Sequence, residues 1–269
     1  MPLYGNQWFG LKPEITGWNH TEADADSNTF IIEFSGTSGA NETGAGYGMS
    51  GTDLVGTKGT GTIGASSGGY RQFSDAAMGL SQSATGFFNN WLPRTNSRKT
   101  YSWAMQLKDV ARDSNNAYFN WIGGSTGARA DAAMYCAHTA TNTIRFIWNA
   151  GNSSMATNTN LDATGMGTDT YVWLASWSDG TTVRAGWVEN ATEQTSPTVL
   201  SDFPSTQRFS VNWEGDGANN NYWNYDPLYF YSYGNAGGAG IGFNNGNSHG
   251  NFKIKKFVAS KLTIIDNSS

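Results

Sequence analysis

Apolar and polar positions along this chain alternate with a period of two rather than 3.6. Residues 101–107 set Tyr101, Trp103, Met105 and Leu107 against Ser102, Ala104 and Gln106, the signature of a strand buried on one face. Residues 29–34 (Thr-Phe-Ile-Ile-Glu-Phe) read as the first strand. Runs at 117–122, 132–137 and 143–148 are separated by Gly123-Gly124 and by residues 140–142, which predicts a three-strand meander. Residues 171–177 and 182–189 flank Ser178-Asp179-Gly180-Thr181, and Asp-Gly between two strand-like runs is a strong hairpin signal. Further strands are predicted at 209–213, 228–231, 251–260 and 262–265. Residues 36–69 read as loops with short edge strands, and residues 75–80 as a short helical turn. No stretch of twelve residues carries a helical period, and neither heptads nor an internal repeat is present. The pattern predicts an all-β fold, a two-sheet antiparallel sandwich.

Composition agrees with many short strands and tight turns: the chain has 269 residues with 34 Gly and only 6 Pro. Aromatic residues make up 14%, including 11 Trp, which is too many large buriable side chains for a disordered chain. Charged residues are also 14%, against roughly 25% in ordinary soluble proteins. Hydroxyl, amide and glycine must therefore form much of the surface, as suits subunit packing or sugar binding. A net charge of -5 with 16 basic residues gives no cationic footprint for nucleic acid. The exception, Lys253, Lys255 and Lys256 among Phe252, Ile254 and Phe257, reads as the wet face of a strand. Cys136, in the apolar run 132–137, excludes an intramolecular disulfide and reads as a buried, inert thiol. The N-terminal residues lack a basic segment followed by an apolar one, and no run reaches the ~18 apolar residues of a membrane span. The expectation is no classical secretion and no membrane span.

Residues 1–27 show no sustained period and mix Tyr4, Trp8, Phe9 and Trp18 with the acidic stretch Glu22-Ala-Asp24-Ala-Asp26. They read as an irregular N-terminal arm that packs on its own domain or on a neighbour, since large apolar patches rarely stay bare. The domain itself is placed at 28–269. Residues 171–190, an aromatic-rich strand, an Asp-Gly turn and a strand ending at Asn190, resemble the hairpin of the concanavalin A-like, laminin-G-like jelly rolls. Residues 250–265 are similar to that family's last strand, which runs back beside the first; residues 29–34 would be its partner. Ala191 stands where the family usually shows a second glycine. The resemblance implies a jelly-roll sandwich. Its members include lectins, glycan-degrading enzymes, adhesion modules and virion proteins, and fold does not choose among them.

Candidate chemistry is sparse. Glycoside cleavage needs two carboxyl groups across the scissile bond. The nearest approach, Glu22, Asp24 and Asp26, lacks an aromatic platform and reads as a solvated loop; Glu189 and Glu193 are separated by a turn, and Glu33 stands alone on its strand. The loop holding Glu214, Asp216 and Asn219 is the best hard-cation candidate, because oxygen-rich loops suit Ca²⁺, but it lacks an ordered ligand spacing. His20, His138 and His249 are scattered, which argues against zinc or a Ser-His-Asp triad. Aromatic density from Trp213 to Tyr233, with Tyr222, Trp223 and Tyr225, suits either core and interface packing or stacking on a sugar face.

These features lead to the expectation of a non-enzymatic virion structural protein of a bacterial virus. It would be a capsid decoration, fibre or tail-associated module, assembled in the host cytoplasm, with host-surface attachment as an added role. Its partners would be copies of itself, other virion proteins and a cell-surface glycan, with no required cofactor. The first alternative is a carbohydrate-binding lectin module, exported by a non-classical route if extracellular; the second is a glycoside hydrolase of the same fold.

Overall fold

Two antiparallel sheets, stacked face to face, hold the strands in the computed structural model. The structure describes residues 29–37, 42, 44–46, 54–58, 62–74, 77–80, 100–111, 117–122, 134–138, 142–148, 157–164, 166–167, 169–179, 181–212, 228–231 and 251–260. The arm expected over 1–27 and the strand expected over 262–265 lie outside them.

The first sheet runs in the order β14 (Arg208–Asn212), β13 (Thr182–Asn190), β12 (Tyr171–Asp179), β7 (Thr100–Ala111), β16 (Asn251–Ser260), β1 (Thr29–Glu33) and β2 (Gly44–Gly46). β5 (Tyr70–Ser74) also pairs with β16, and β4 (Thr62–Ser67) pairs with β5. The second sheet runs β11 (Thr157–Asp162), β10 (Thr143–Trp148), β9 (Met134–His138), β8 (Ala117–Ile122), β15 (Leu228–Tyr231), β6 (Ala77–Leu80) and β3 (Leu54–Lys58). The protein is a jelly-roll β-sandwich.

The predicted meander is β8, β9 and β10 in antiparallel succession. The last described strand runs back along the first, with Thr29 opposite Ser260 and Glu33 opposite Lys256. Residues 75–80 correct the expected helical turn: β6 forms there, between β15 and β3. A stretch of four residues, Ala77–Leu80, between two strand edges is held by ladder hydrogen bonds that its own propensity does not announce. β11 (Thr-Asn-Thr-Asn-Leu-Asp) carries no alternation and pairs with β10 along its full length.

The predicted hairpin is β12 and β13, and Asp179 shapes its turn. One carboxylate oxygen accepts from Thr181 N, Thr181 Oγ1 and Thr182 N, each at 2.8 Å, and the other accepts from Arg184 Nη1 at 2.8 Å. These bonds satisfy turn donors that the ladder cannot reach. Burial opposes the charge, but Arg184, Thr182 and Thr181 outweigh it and hold the Asp179 carboxyl far below the usual range.

Alternation sorts the two faces of the first sheet. Trp103, Met105 and Leu107 of β7, Val172 and Leu174 of β12 and Trp187 of β13 meet Cys136, Ile144, Phe146 and Leu161 of the second sheet in the main core. Cys136 is fully buried, and burial raises its thiol pKa well above the ordinary value, as an inert core thiol requires. The outer face, turned away from the second sheet, is also apolar at its middle: Ile31, Ala104, Trp173, Ala175, Trp177 and Val258 are buried there with Phe203. Part of the cover is the strap of residues 191–207 between β13 and β14. Phe203 stacks on Trp177 at 6.1 Å between ring centres, and Trp173 Nε1 donates to the Gln194 carbonyl at 3.2 Å. Gly186 is required beneath it, because a Cβ there would stand 2.5 Å from Phe203 Cγ.

Candidate functional site

β16 keeps β7 on one edge and changes partner on the other, pairing with β5 through Ile254 and with β1 from Lys256 onward. Lys255 is the residue at the fork. It is also an extra residue against β7, since Ile254 faces Leu107 while Lys256 faces Gln106. A second irregularity lies close by: four residues of β7, Lys108 to Ala111, oppose three of β16, Lys253 to Asn251. Asp109, inside it, has φ 52°. Such bulges bend a strand and re-aim side chains, and they gather beside functional sites. Here the inward set of β16 passes from Phe252 and Ile254 to Phe257 and Ala259, and that of β7 from Leu107 to Val110.

The side chains that the bulges re-aim meet on the outer face, beyond the apolar patch. Lys255 of β16 forms an ion pair with Glu193, from the start of the strap. Gln106 of β7, 2% exposed, donates through Nε2 to the same Glu193 oxygen at 2.9 Å. Tyr70 of β5 and Tyr171 of β12 meet edge to face with ring centres 5.9 Å apart. Lys255 Nζ lies over the Tyr70 ring at 5.6 Å, and Lys108 Nζ over the Tyr171 ring at 4.7 Å, both within cation–π reach. Lys253 pairs with Asp109, whose second carboxylate oxygen is buried without a hydrogen-bond partner among the described residues.

Electrostatics fixes the protonation of this group. Burial first, and then the charge of Glu193, push the Tyr70 phenol far above the usual tyrosine range, so it stays protonated. Its hydroxyl is buried and makes no well-formed hydrogen bond among the described residues. Burial opposes ionisation of Glu193, but Lys255, Gln106 and Tyr70 outweigh it and lower the pKa. The Lys108 pKa is raised, by its bond to Tyr171 before all else and by the charges of Asp109 and Asp169, against burial. The result is a neutral phenol, an ionised carboxylate, an amide and ammonium groups on two tyrosine rings. Such a set can stack on a sugar ring and bond its hydroxyls.

Of the residues singled out from sequence, Trp213, Tyr222, Trp223 and Tyr225, the loop Glu214, Asp216 and Asn219, and the arm residues Tyr4, Trp8, Phe9 and Trp18 lie outside the described residues. Among the described residues no group of three or more His, Cys, Asp or Glu is placed to hold a metal ion, and no helix is long and apolar enough to cross a membrane. Lys253 and Lys255 share the wet face, as expected, and each is committed to a carboxylate, whereas Lys256, expected with them, is buried at 8% exposure. Glu189 and Glu193 go to different surroundings. Glu189 accepts from Gly167 N and Thr170 Oγ1, both at 3.2 Å. Glu193 joins the cluster, which sequence reading missed along with Tyr70, Gln106, Lys108 and Tyr171. The one available signal was the offset between Lys253-Lys255 and Lys256 within an alternating strand.

No protein-family model matches the chain, and no curated protein matches it. Solved structures do. Alginate lyase A1-II', a member of polysaccharide lyase family-7, aligns over 87% of this chain and 94% of its own, at 9% identity and a TM-score of 0.43. A Trypanosoma rangeli sialidase in complex with sialic acid aligns over 87% of this chain and 30% of its own, at 6% identity and a TM-score of 0.45. The CBM40 of a Ruminococcus gnavus sialidase, bound to alpha2,3 sialyllactose, aligns over 65% of this chain and 80% of its own, at 9% identity and a TM-score of 0.37. At such identities the likeness concerns fold. The expectation of a non-enzymatic virion protein is corrected here: the neighbours bear the names of carbohydrate lyases and sialidases. That expectation weighed the arm, the low charge and the missing signal segment, none of which is a feature of a site.

Proposed function

We propose that this is a carbohydrate-active protein that holds a sugar chain against the outer face of its first sheet, at the cluster of Tyr70, Gln106, Lys108, Tyr171, Glu193 and Lys255. The observation that carries this reading is the pair of tyrosine rings set edge to face among buried and half-exposed polar groups, at the fork where β16 changes partner. Flat rings with amide, ammonium and phenol donors at their rims match the amphipathic faces of a pyranose.

A panel of plant, algal and bacterial polysaccharides, incubated with the purified chain, tests the reading by affinity electrophoresis and by the size distribution of the products. Binding or depolymerisation that falls at least about tenfold on Tyr171→Ala, the loss of a stacking ring, is the expected result. Neither binding nor shortening of any polysaccharide would overturn it.

A further inference from the structure

Within that cluster, the two strand residues that lie beneath Glu193 differ from it in depth. Gln106 is 2% exposed and Tyr70 4%, whereas the Glu193 side chain is 38% exposed. The donors sit on the sheet and the acceptor lies over them, brought by the strap. Its neighbours Ala191, Thr192, Gln194 and Thr195 are all exposed. The strap has its own anchors farther along: Phe203 on Trp177, Ser196 buried, and Arg208 Nη1 donating to the Leu200 and Phe203 carbonyls at 3.0 and 3.1 Å. Glu193 is therefore not what fastens residues 196–207 to the sheet. Lys255 and Gln106 converge on one oxygen of Glu193, while the buried Tyr70 hydroxyl beside them makes no well-formed bond among the described residues. This is a donor set shaped for a carboxylate, only partly satisfied by the one present.

We propose that Tyr70, Gln106 and Lys255 form a cradle for a carboxylate carried by the sugar ligand, and that Glu193 is the chain's own placeholder in it, displaced when an acidic sugar binds. The proposal rests on the carbohydrate reading above and narrows it to uronate-type or other carboxylated sugars. An exposed ion pair is weak enough to exchange for a ligand carboxylate, and a placeholder lowers apparent affinity by the fraction of molecules in which the cradle is closed. Tyr171 and Lys108 flank the exchange and receive the sugar ring.

Titration calorimetry of the wild type, Glu193→Gln, Glu193→Ala and Lys255→Met with an oligogalacturonate, its carboxyl-reduced neutral counterpart and an oligoglutamate separates the outcomes. Glu193→Ala and Glu193→Gln should bind the oligogalacturonate about tenfold tighter than the wild type, the effect of opening a cradle closed about nine-tenths of the time. Affinity for the neutral oligomer should not change, and Lys255→Met should lose the preference for acid. A Glu193→Gln melting temperature within about 4 °C of the wild type guards against misfolding. Weaker oligogalacturonate binding in both Glu193 variants makes Glu193 a ligand contact and overturns the placeholder. Equal binding of the acidic and neutral oligomers, untouched by any substitution, overturns the cradle but leaves the carbohydrate reading standing. Equal gains for oligoglutamate overturn the assignment to sugar. Absence of binding to either sugar in every variant removes both readings.

Discussion

Two ion pairs stand on neighbouring strands at the fork of β16, made from the same chemistry and put to opposite uses. Arg71 of β5 and Glu42 are 0% and 4% exposed in their side chains; Lys255 of β16 and Glu193 are 34% and 38% exposed. Arg71 has a partner for each arm of its guanidinium: Glu42, the Gly64 carbonyl at 2.9 Å and the Thr37 carbonyl at 2.5 Å. Glu42 in turn accepts from Gly36 N at 2.8 Å. The Lys255 pair has water on one side and an unfinished donor on the other. A charge taken wholly out of water must be satisfied at every atom or it destabilises the fold. A half-wet pair escapes that demand and can exchange partners. The first pair ties β5 to the segments after β1 and before β2, closing the fork; the second holds a residue that the fold does not need there.

Removing one member of each pair tests this contrast most strongly at the buried site. Glu42→Ala leaves the Arg71 charge buried and short of its carboxylate, and should lower unfolding free energy in urea by about 3–5 kcal/mol. A loss below about 1 kcal/mol, the range of surface pairs, would erase the distinction. Gly186→Ala sharpens it from the strap's side. The new methyl meets the Phe203 ring, so about 1–3 kcal/mol should be lost to overpacking, with Trp177 fluorescence shifting as the strap lifts. An unshifted spectrum and unchanged stability would mean that Phe203 does not fasten the strap.

The smallest effect belongs to the exposed pair. The Glu193 pKa is lowered in the folded chain, so its contribution is fully present above the unfolded glutamate value of about 4.3. That contribution fades as pH falls through the folded value. Because the group is more than a third exposed, screening keeps the amount under about 1 kcal/mol. Wild type and Glu193→Gln should therefore differ slightly in melting temperature at neutral pH and converge below pH ~4. A difference that grows on acidification would reverse the sign and refute the assignment.

Much of the sandwich was legible in the sequence because alternation is a local record of one-sided burial. β7, β10, the β12–β13 hairpin and β16 were all marked by it. β6 and β11 were not, since their pairing comes from neighbouring strands rather than from their own residues. The candidate cluster was less legible still. Tyr70, Gln106, Tyr171, Glu193 and Lys255 are drawn from four strands and a strap, and only the bulges at Lys255 and Asp109 bring them to one place. A bulge displaces phase by a single residue, too little to stand out in a strand that already carries Lys at 253, 255 and 256. The virion expectation failed for a related reason: it used bulk properties of the chain where a spatial constellation was needed.

β16 lies at the centre of the first sheet, between β7 and β1, yet it is the last described strand of that sheet to leave the ribosome. Thr29 and Ser260 share a buried hydrogen bond across 231 positions of sequence. Until β16 emerges, the described ladder of the first sheet stays in three unjoined pieces, β14–β13–β12–β7, β1–β2 and β4–β5, each with an unpaired edge. Such remote pairing slows folding and exposes open edges meanwhile, so dependence on chaperones should concentrate in the interval before β16 has emerged.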